Sequence, residues 1–246
     1  MTDTTPFRPF ETLLDETRAL SMLREAVAGA DDGELFLERR RSEMLSFDDG
    51  RVNNASYDAA QGFGLRAVKG ETAGYAHSTE ITEHALKRAV DTARLAVGDG
   101  GGTLAEPPRA TNQKLYSDHD PMGDAAFPVK IETLAEIDAY ARSLDKRVIQ
   151  VSANLAASIQ EVVILRPEGH AVTDTRPMTR LNVSVIVEEN GRRESGGSGG
   201  GGRTALTGLI DPDHWKSAAR EALRIALVNL EAVPARAGVM DVVLGP

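Results

Sequence analysis

Leu181, Val183, Val185 and Val187 alternate with Asn182 and Ser184. A period of two belongs to a β-strand, whose successive side chains point to opposite faces, so this chain must build a sheet with one packed side and one wet or ligand-facing side. The alternation runs into Arg192-Arg193-Glu194-Ser195-Gly196-Gly197-Ser198-Gly199-Gly200-Gly201-Gly202-Arg203. That tract has two readings. It is a flexible connection, the usual role of Gly/Ser composition. Or it is a surface where bare main-chain N–H and C=O groups accept a ligand strand or an anionic group, with Arg193 or Arg203 supplying charge. It is not a Walker loop, because no Gly-Lys-Ser/Thr follows the glycines.

Other strand signals precede it. Residues 35–47 end in the turn signal Asp48-Asp49-Gly50, and residues 52–60 return antiparallel. Phe63, Leu65 and Ala67 alternate towards a second turn at Lys69-Gly70, and residues 73–77 come back. Two more strands are expected over 148–158 and 161–166. Helical spacing marks four segments. Leu13, Leu20, Leu23 and Val27 share one face of the first. Leu86, Ala89, Val90, Ala93 and Val97 share another, with Thr82 as N-cap, and Ile131, Leu134, Ile137, Ala141 and Leu144 a third, behind Pro128. The fourth helix, from Asp213 to about Val233, is apolar on most of its circumference and is expected to be buried between layers.

The fold class is therefore α+β, with two small helix-plus-antiparallel-sheet units. Residues 1–105 form the first, residues 106–127 are a crossing rich in glycine and proline, and residues 128–236 form the second, with its Gly-rich loop. Residues 237–246 contain Val239, Met240, Val242, Val243 and Leu244. They read as the first strand of a third domain, so the chain is expected to be cut in mid-domain.

Composition narrows the function classes. The net charge of −9, from 28 basic and 37 acidic residues, repels phosphate backbones, so no nucleic-acid partner is expected. The one basic run, Arg39-Arg40-Arg41, lies in a strand that splits it between two faces. No apolar run is long enough for a membrane span, and acidic Asp3 stands where a secretory leader carries base, so the expected location is the cytoplasm. With no cysteine, disulfides, thiolate metal sites and cysteine nucleophiles are closed to this chain.

No catalytic or metal-ligating residue emerges. The five histidines, at 77, 84, 119, 170 and 214, include no helical i, i+4 pair. Asp118-His119-Asp120 has ligand chemistry, but three adjacent side chains converge poorly on one ion. Gly62-Phe63-Gly64-Leu65-Arg66-Ala67 has the outline of a dinucleotide fingerprint, yet its glycines lead into more strand rather than opening a helix. Ser78 beside His77 lacks a positioned third group.

The stretch Arg176-Pro177-Met178-Thr179-Arg180-Leu181-Asn182-Val183-Ser184-Val185-Ile186-Val187-Glu188-Glu189-Asn190-Gly191, followed by the glycine tract, resembles the TldD branch of the TldD/PmbA family. Gln61 to Ala67, Ala226 to Leu230 and Met240 to Gly245 are similar to the same family in the same order, from about residue 30 onwards. The resemblance implies a cytoplasmic zinc metallopeptidase acting on unfolded or leader-bearing peptides and paired with a related non-catalytic PmbA/TldE-type subunit. An older family label is modulator of DNA gyrase. The family's His-Glu-x-x-x-His zinc motif would begin beyond Pro246. The resemblance therefore carries no catalytic or metal residue, and no cofactor, onto these positions, zinc being implied only for the full-length protein, and this portion is expected to be inactive alone. The expected substrate-path residues are Arg193, Ser195, Gly197, Gly199, Gly200 and Arg203, together with the strand from Leu181 to Glu189. The alternative is a self-standing protein-binding or regulatory module.

Overall fold

The computed structural model describes residues 5–97, 116–235 and 237–245. Six strands form a single antiparallel sheet in the order β3-β2-β1-β4-β5-β6, with β1 Asp32–Asp48, β2 Arg51–Lys69, β3 Thr72–Ser78, β4 Val148–Leu165, β5 Ala171–Glu189 and β6 Arg192–Gly202. Helices α1 Pro9–Thr12, α2 Glu16–Ala26, α3 Glu83–Val97, α4 Phe127–Leu144 and α5 Pro212–Glu231 complete the α+β fold. Among the described residues no helix is long and apolar enough to cross a membrane.

Two hydrophobic clusters lie beneath this one sheet. Leu35 and Leu37 of β1 pack with Phe63 and Leu65 of β2 against α2 and α3. Leu45 and Phe47, further along β1, pack with β4 and β5 against α4 and α5. All four β1 residues are odd-numbered, so both clusters occupy the same face, and among the described residues the other face carries no helix. The join is β1 itself, paired with β2 on one side and with β4, from Leu35↔Leu165 to Asp48↔Ser152, on the other. Between the clusters runs a charged seam. Arg41, only 4% exposed, reaches Asp120 at 3.1 Å, and Arg39 reaches Glu161 at 2.8 Å.

Local chemistry explains most boundaries. At the Asp48-Asp49-Gly50 turn, Asp49 and Gly50 take φ of 49° and 81°, the left-handed pair that a tight hairpin requires. Thr82 caps α3, its hydroxyl accepting from Ala85 N at 3.2 Å. The first helix is shorter than its apolar spacing suggests. Asp15 caps α2 by accepting from Arg18 N at 2.9 Å, so the helix starts at Glu16 and Leu13 stands outside it, exposed. The two strands expected over 148–166 are one, because Gln160 and Glu161 pair with Arg40 and Arg39 without interruption.

Helix α5 lies on one side of the sheet rather than between layers. Trp215, Ala219, Ala222 and Ala226 are buried, whereas Val228 is exposed. Of the expected crossing, residues 106–115 lie outside the described residues, and the remainder holds the 3-10 turn Pro121–Gly123. The segment 237–245, expected as a strand, has no secondary structure. Its Val239, Val243 and Leu244 are exposed, since a strand exists only where a neighbour takes up its main-chain hydrogen bonds.

Candidate functional site

The glycine tract is strand β6, the outer edge of the sheet, paired with β5 from Thr179↔Gly202 to Glu189↔Arg192. The tract is therefore not a flexible connection, and packing explains how so poor a strand former is held. A Cβ at Gly196 would stand 2.2 Å from the carbonyl oxygen of Ala222 and 2.4 Å from the amide of Ala226, so α5 rests directly on the strand's backbone. A Cβ at Gly199 would stand 2.3 Å from Leu181 O, and one at Gly201 2.2 Å from Thr179 O. Glycine is required at these three positions. At Gly197 the nearest atom is 3.8 Å away, and at Gly202 nothing is close.

Pairing distributes the expected path residues. Arg193, Ser195, Gly197 and Gly199 oppose Glu188, Ile186, Ser184 and Asn182, on the face that carries no helix. Gly200 opposes Leu181 and faces α5, where a Cβ would meet His214 at 3.2 Å. Arg203 lies beyond the strand end, its guanidinium 4.5 Å from the ring centre of Tyr116, and the Tyr116 hydroxyl donates to Asp174 at 3.4 Å. The structure thus brings five of the six residues to one surface and its border.

This open face has a composition that the sequence reading missed. Asn54, Ser46, Asn154, Asn182 and Gly199 stand side by side across five strands, and Asp48, Ser152, Ser184 and Gly197 form the next row. The signal was present as polar residues at the even positions of β4, Gln150, Ser152, Asn154, Ser158 and Gln160, broken by Ala156. Asp48 accepts from Ser152 Oγ at 2.5 Å and Gln150 Nε2 at 3.0 Å, and these bonds hold its carboxyl below the usual carboxylate range.

Charges on β5 and β6 are held in place. Arg193 pairs with Glu188. Arg192 caps α5, donating to Ala232 O at 3.0 Å and Asn229 O at 2.9 Å, and the Asn229 amide returns to Ser195 O at 2.9 Å. Arg180, on the open face opposite Gly201, donates to Asn182 Oδ1 at 3.0 Å. Among the described residues neither Arg180 nor Arg203, which lies over its tyrosine, has a carboxylate partner.

A second feature lies at the opposite side of the sheet. A concavity of about 350 Å³ opens beside β2, lined by Leu45, Ala55, Tyr57, Met122 and Phe127 over Glu43 and Lys130. Lys130 Nζ, almost wholly buried, donates to Glu43 Oε2 at 2.8 Å and Met122 O at 2.9 Å. Its signal was a lysine in the stripe Lys130, Leu134, Ile137, Ala141.

The Asp118-His119-Asp120 triplet diverges. His119 pairs with Asp124, which also accepts from Leu206 N at 2.6 Å, whereas Asp120 turns to Arg41 and to Met122 N. His84 is exposed and His77 stacks on Tyr75. Among the described residues no group of three His, Asp or Glu is placed to hold a metal ion.

Comparison with known proteins places this geometry. Residues 33–97 match the PmbA/TldA metallopeptidase domain 1, and residues 120–230 match the PmbA/TldA metallopeptidase central domain. The chain is 37% identical over 222 residues to a metalloprotease TldD homolog of Haemophilus influenzae, and 35% identical over 226 residues to one of Buchnera aphidicola subsp. Schizaphis graminum. Each match covers 87% of this chain and 46% of the relative, so the chain spans about half the length of these curated relatives. Among solved structures, a protein named as a modulator of a DNA gyrase from Thermotoga maritima superposes with a TM-score of 0.70 at 13% identity, over 91% of this chain and 49% of that one. TldE from Thermococcus kodakarensis gives 0.64 at 14% identity, over 84% and 46%.

Proposed function

The chain belongs to the PmbA/TldD metallopeptidase family, and from that premise we propose that it forms the non-catalytic, substrate-enclosing part of a cytoplasmic TldD-like zinc metallopeptidase. The substrates are unfolded or leader-bearing peptides, and the partner is a related non-catalytic subunit of the PmbA/TldE type. The relatives named as metalloproteases and the structural likeness to TldE support this reading.

The residues present do not fit the zinc itself. No three ligand side chains converge among the described residues, and the chain has no cysteine. The role left to these residues is to bind and align substrate.

The observation that carries the proposal is β6, an edge strand that among the described residues pairs with β5 alone and has glycine at most positions. An extended peptide can pair with such an edge through its main chain, which tolerates any sequence. Beside it the open face offers Arg193, Ser195, Gly197 and Gly199, with Arg180 and Arg203 as charges for peptide carboxylates.

The test is anisotropy of a dye-labelled, proline-free peptide of mixed sequence titrated with this chain. Gly197→Val, whose side chain has room on the open face, should weaken binding about tenfold or more, a loss of about 1.4 kcal/mol, with unchanged thermal stability. An unaltered affinity, or no binding by the parent chain, removes the proposal.

A further inference from the structure

Arg180 projects from the open face of β5, and among the described residues its neighbours on that face are all neutral. Ala156 and Gly201 share its row across the sheet. Ser158 and Met178 stand in the row on one side, and Asn154, Asn182 and Gly199 in the row on the other. The nearest carboxylates of this face on the paired strands are Asp48 and Asp58. Asp48 shares a row with Ser184, four residues along β5 from Arg180, and Asp58 lies three strands across, in the row of Met178. At ~3.3 Å per residue and ~4.8 Å per strand, both backbones are more than ~13 Å away.

The arginine is nevertheless held. Its Nε donates to Asn182 Oδ1 at 3.0 Å, which lays the guanidinium along the sheet surface, and among the described residues its two terminal nitrogens meet no acceptor. With Oδ1 engaged, the Asn182 amide nitrogen is a further donor beside the fork. The two glycines opposite keep this pair in place. A Cβ at Gly199 would stand 2.7 Å from Asn182 Oδ1, and one at Gly201 would stand 2.8 Å from Arg180 Cα. They also leave no side chain between Arg180 and the outer side of β6. A strand added to β6 would lie two strand spacings from β5, ~9.6 Å, a gap that an arginine and a glutamate side chain close between them.

We propose that Arg180 makes the chain selective for peptides with an acidic side chain, held on the open face opposite Gly199 or Gly201. The proposal rests on the pairing of peptide with β6 described above and names the substrate class of that site. A carboxylate matches the donor set, since it accepts two parallel N–H groups from a guanidinium and has capacity left for the amide. Glutamate is preferred to aspartate, whose side chain is one carbon shorter. Because side chains of an extended peptide alternate in direction, one bound glutamate decides which face every other residue of the peptide presents. Arg180 is thus a specificity-determining residue, whereas the main chain of β6 supplies the sequence-tolerant part of binding.

The chain's net charge of −9 makes the test discriminating, because the overall field disfavours an acidic ligand and only a local cation can reverse that. Two dye-labelled peptides of serine, threonine and valine, blocked at both termini, differ only in a central glutamate or glutamine. Anisotropy at low salt should show the glutamate peptide binding about fivefold more tightly, a difference of about 1 kcal/mol. Arg180→Gln should make the two peptides equal, and raising the salt concentration should erase the preference of the parent chain. Thermal unfolding checks that the variant is folded. A parent chain that binds both peptides equally overturns the proposal while leaving the pairing at β6 intact, and so does a glutamate preference that survives Arg180→Gln. Binding of neither peptide overturns the proposal together with the reading beneath it.

Discussion

Alanine at Gly196 isolates the contact that holds the glycine strand under its helix. The added methyl group would lie 2.2 Å from Ala222 O and 2.4 Å from Ala226 N, whereas methyl carbons rest at about 3.5 Å from their neighbours. Either α5 lifts by about 1 Å or β6 bends away from it. Overpacking of this kind costs about 1–3 kcal/mol. Replacing glycine in a strand returns about 0.5–1 kcal/mol, so the net loss is about 0–2.5 kcal/mol, centred near 1 kcal/mol. For a domain of this size, where 1 kcal/mol shifts the melting temperature by about 2–4 °C, the central value lowers it by roughly 2–4 °C and the upper bound by roughly 10 °C. Gly197→Ala is the control. With 3.8 Å of clearance it keeps only the propensity gain and should be neutral or slightly stabilising. Thermal unfolding measures both, and the single tryptophan, Trp215, buried on α5, reports by fluorescence whether the helix has shifted. Equal stabilities for the two variants would refute the packing argument.

Two further outcomes follow from charged groups. Lys130→Met leaves Glu43 without its cation beside an apolar pocket and should cost about 3 kcal/mol in urea unfolding, whereas the double variant with Glu43→Leu should recover most of that loss; a double variant as unstable as the single one would contradict this. Asp145 is held to about 2, below its ordinary value of 3.8, by side-chain and main-chain hydrogen bonds from Arg147. A depressed carboxyl contributes stability that is present above its unfolded value and disappears as pH falls towards the folded one. Stability should therefore decline between about pH 4 and pH 2, and Asp145→Asn should flatten that decline without changing the slope near neutrality.

Much of the fold is legible where side chains repeat. Leu181 to Val187 disclosed β5 and its wet face, Asp48-Asp49-Gly50 disclosed the β1–β2 hairpin, and Thr82 marked the start of α3. The glycine tract was not legible as a strand, because glycine has no side chain to show a period. Its conformation is imposed from outside, by α5 at Gly196 and by β5 at Gly199 and Gly201. Nor was the single sheet legible. The pairing of Leu35 with Leu165 joins segments far apart in sequence, and no local pattern announces it. Once β6 is known to be a strand, the odd-numbered candidates from Arg193 to Gly199 fall on one face and Gly200 on the other by alternation alone. The two polar rows needed the register, which places Ser46 between Asn54 and Asn154.

All of strand β1 but its first residue lies within the segment that matches domain 1, yet its second half closes the core beneath the central domain. The family's two segments are thus divided in sequence but not in cohesion. Cutting the chain between them would strip one side of β4 of its hydrogen-bond partners and open both clusters at once. Neither segment can be exchanged or expressed by itself without that loss. Hydrogen exchange should find its slowest amides along β1, and the whole chain should melt in one cooperative step rather than two.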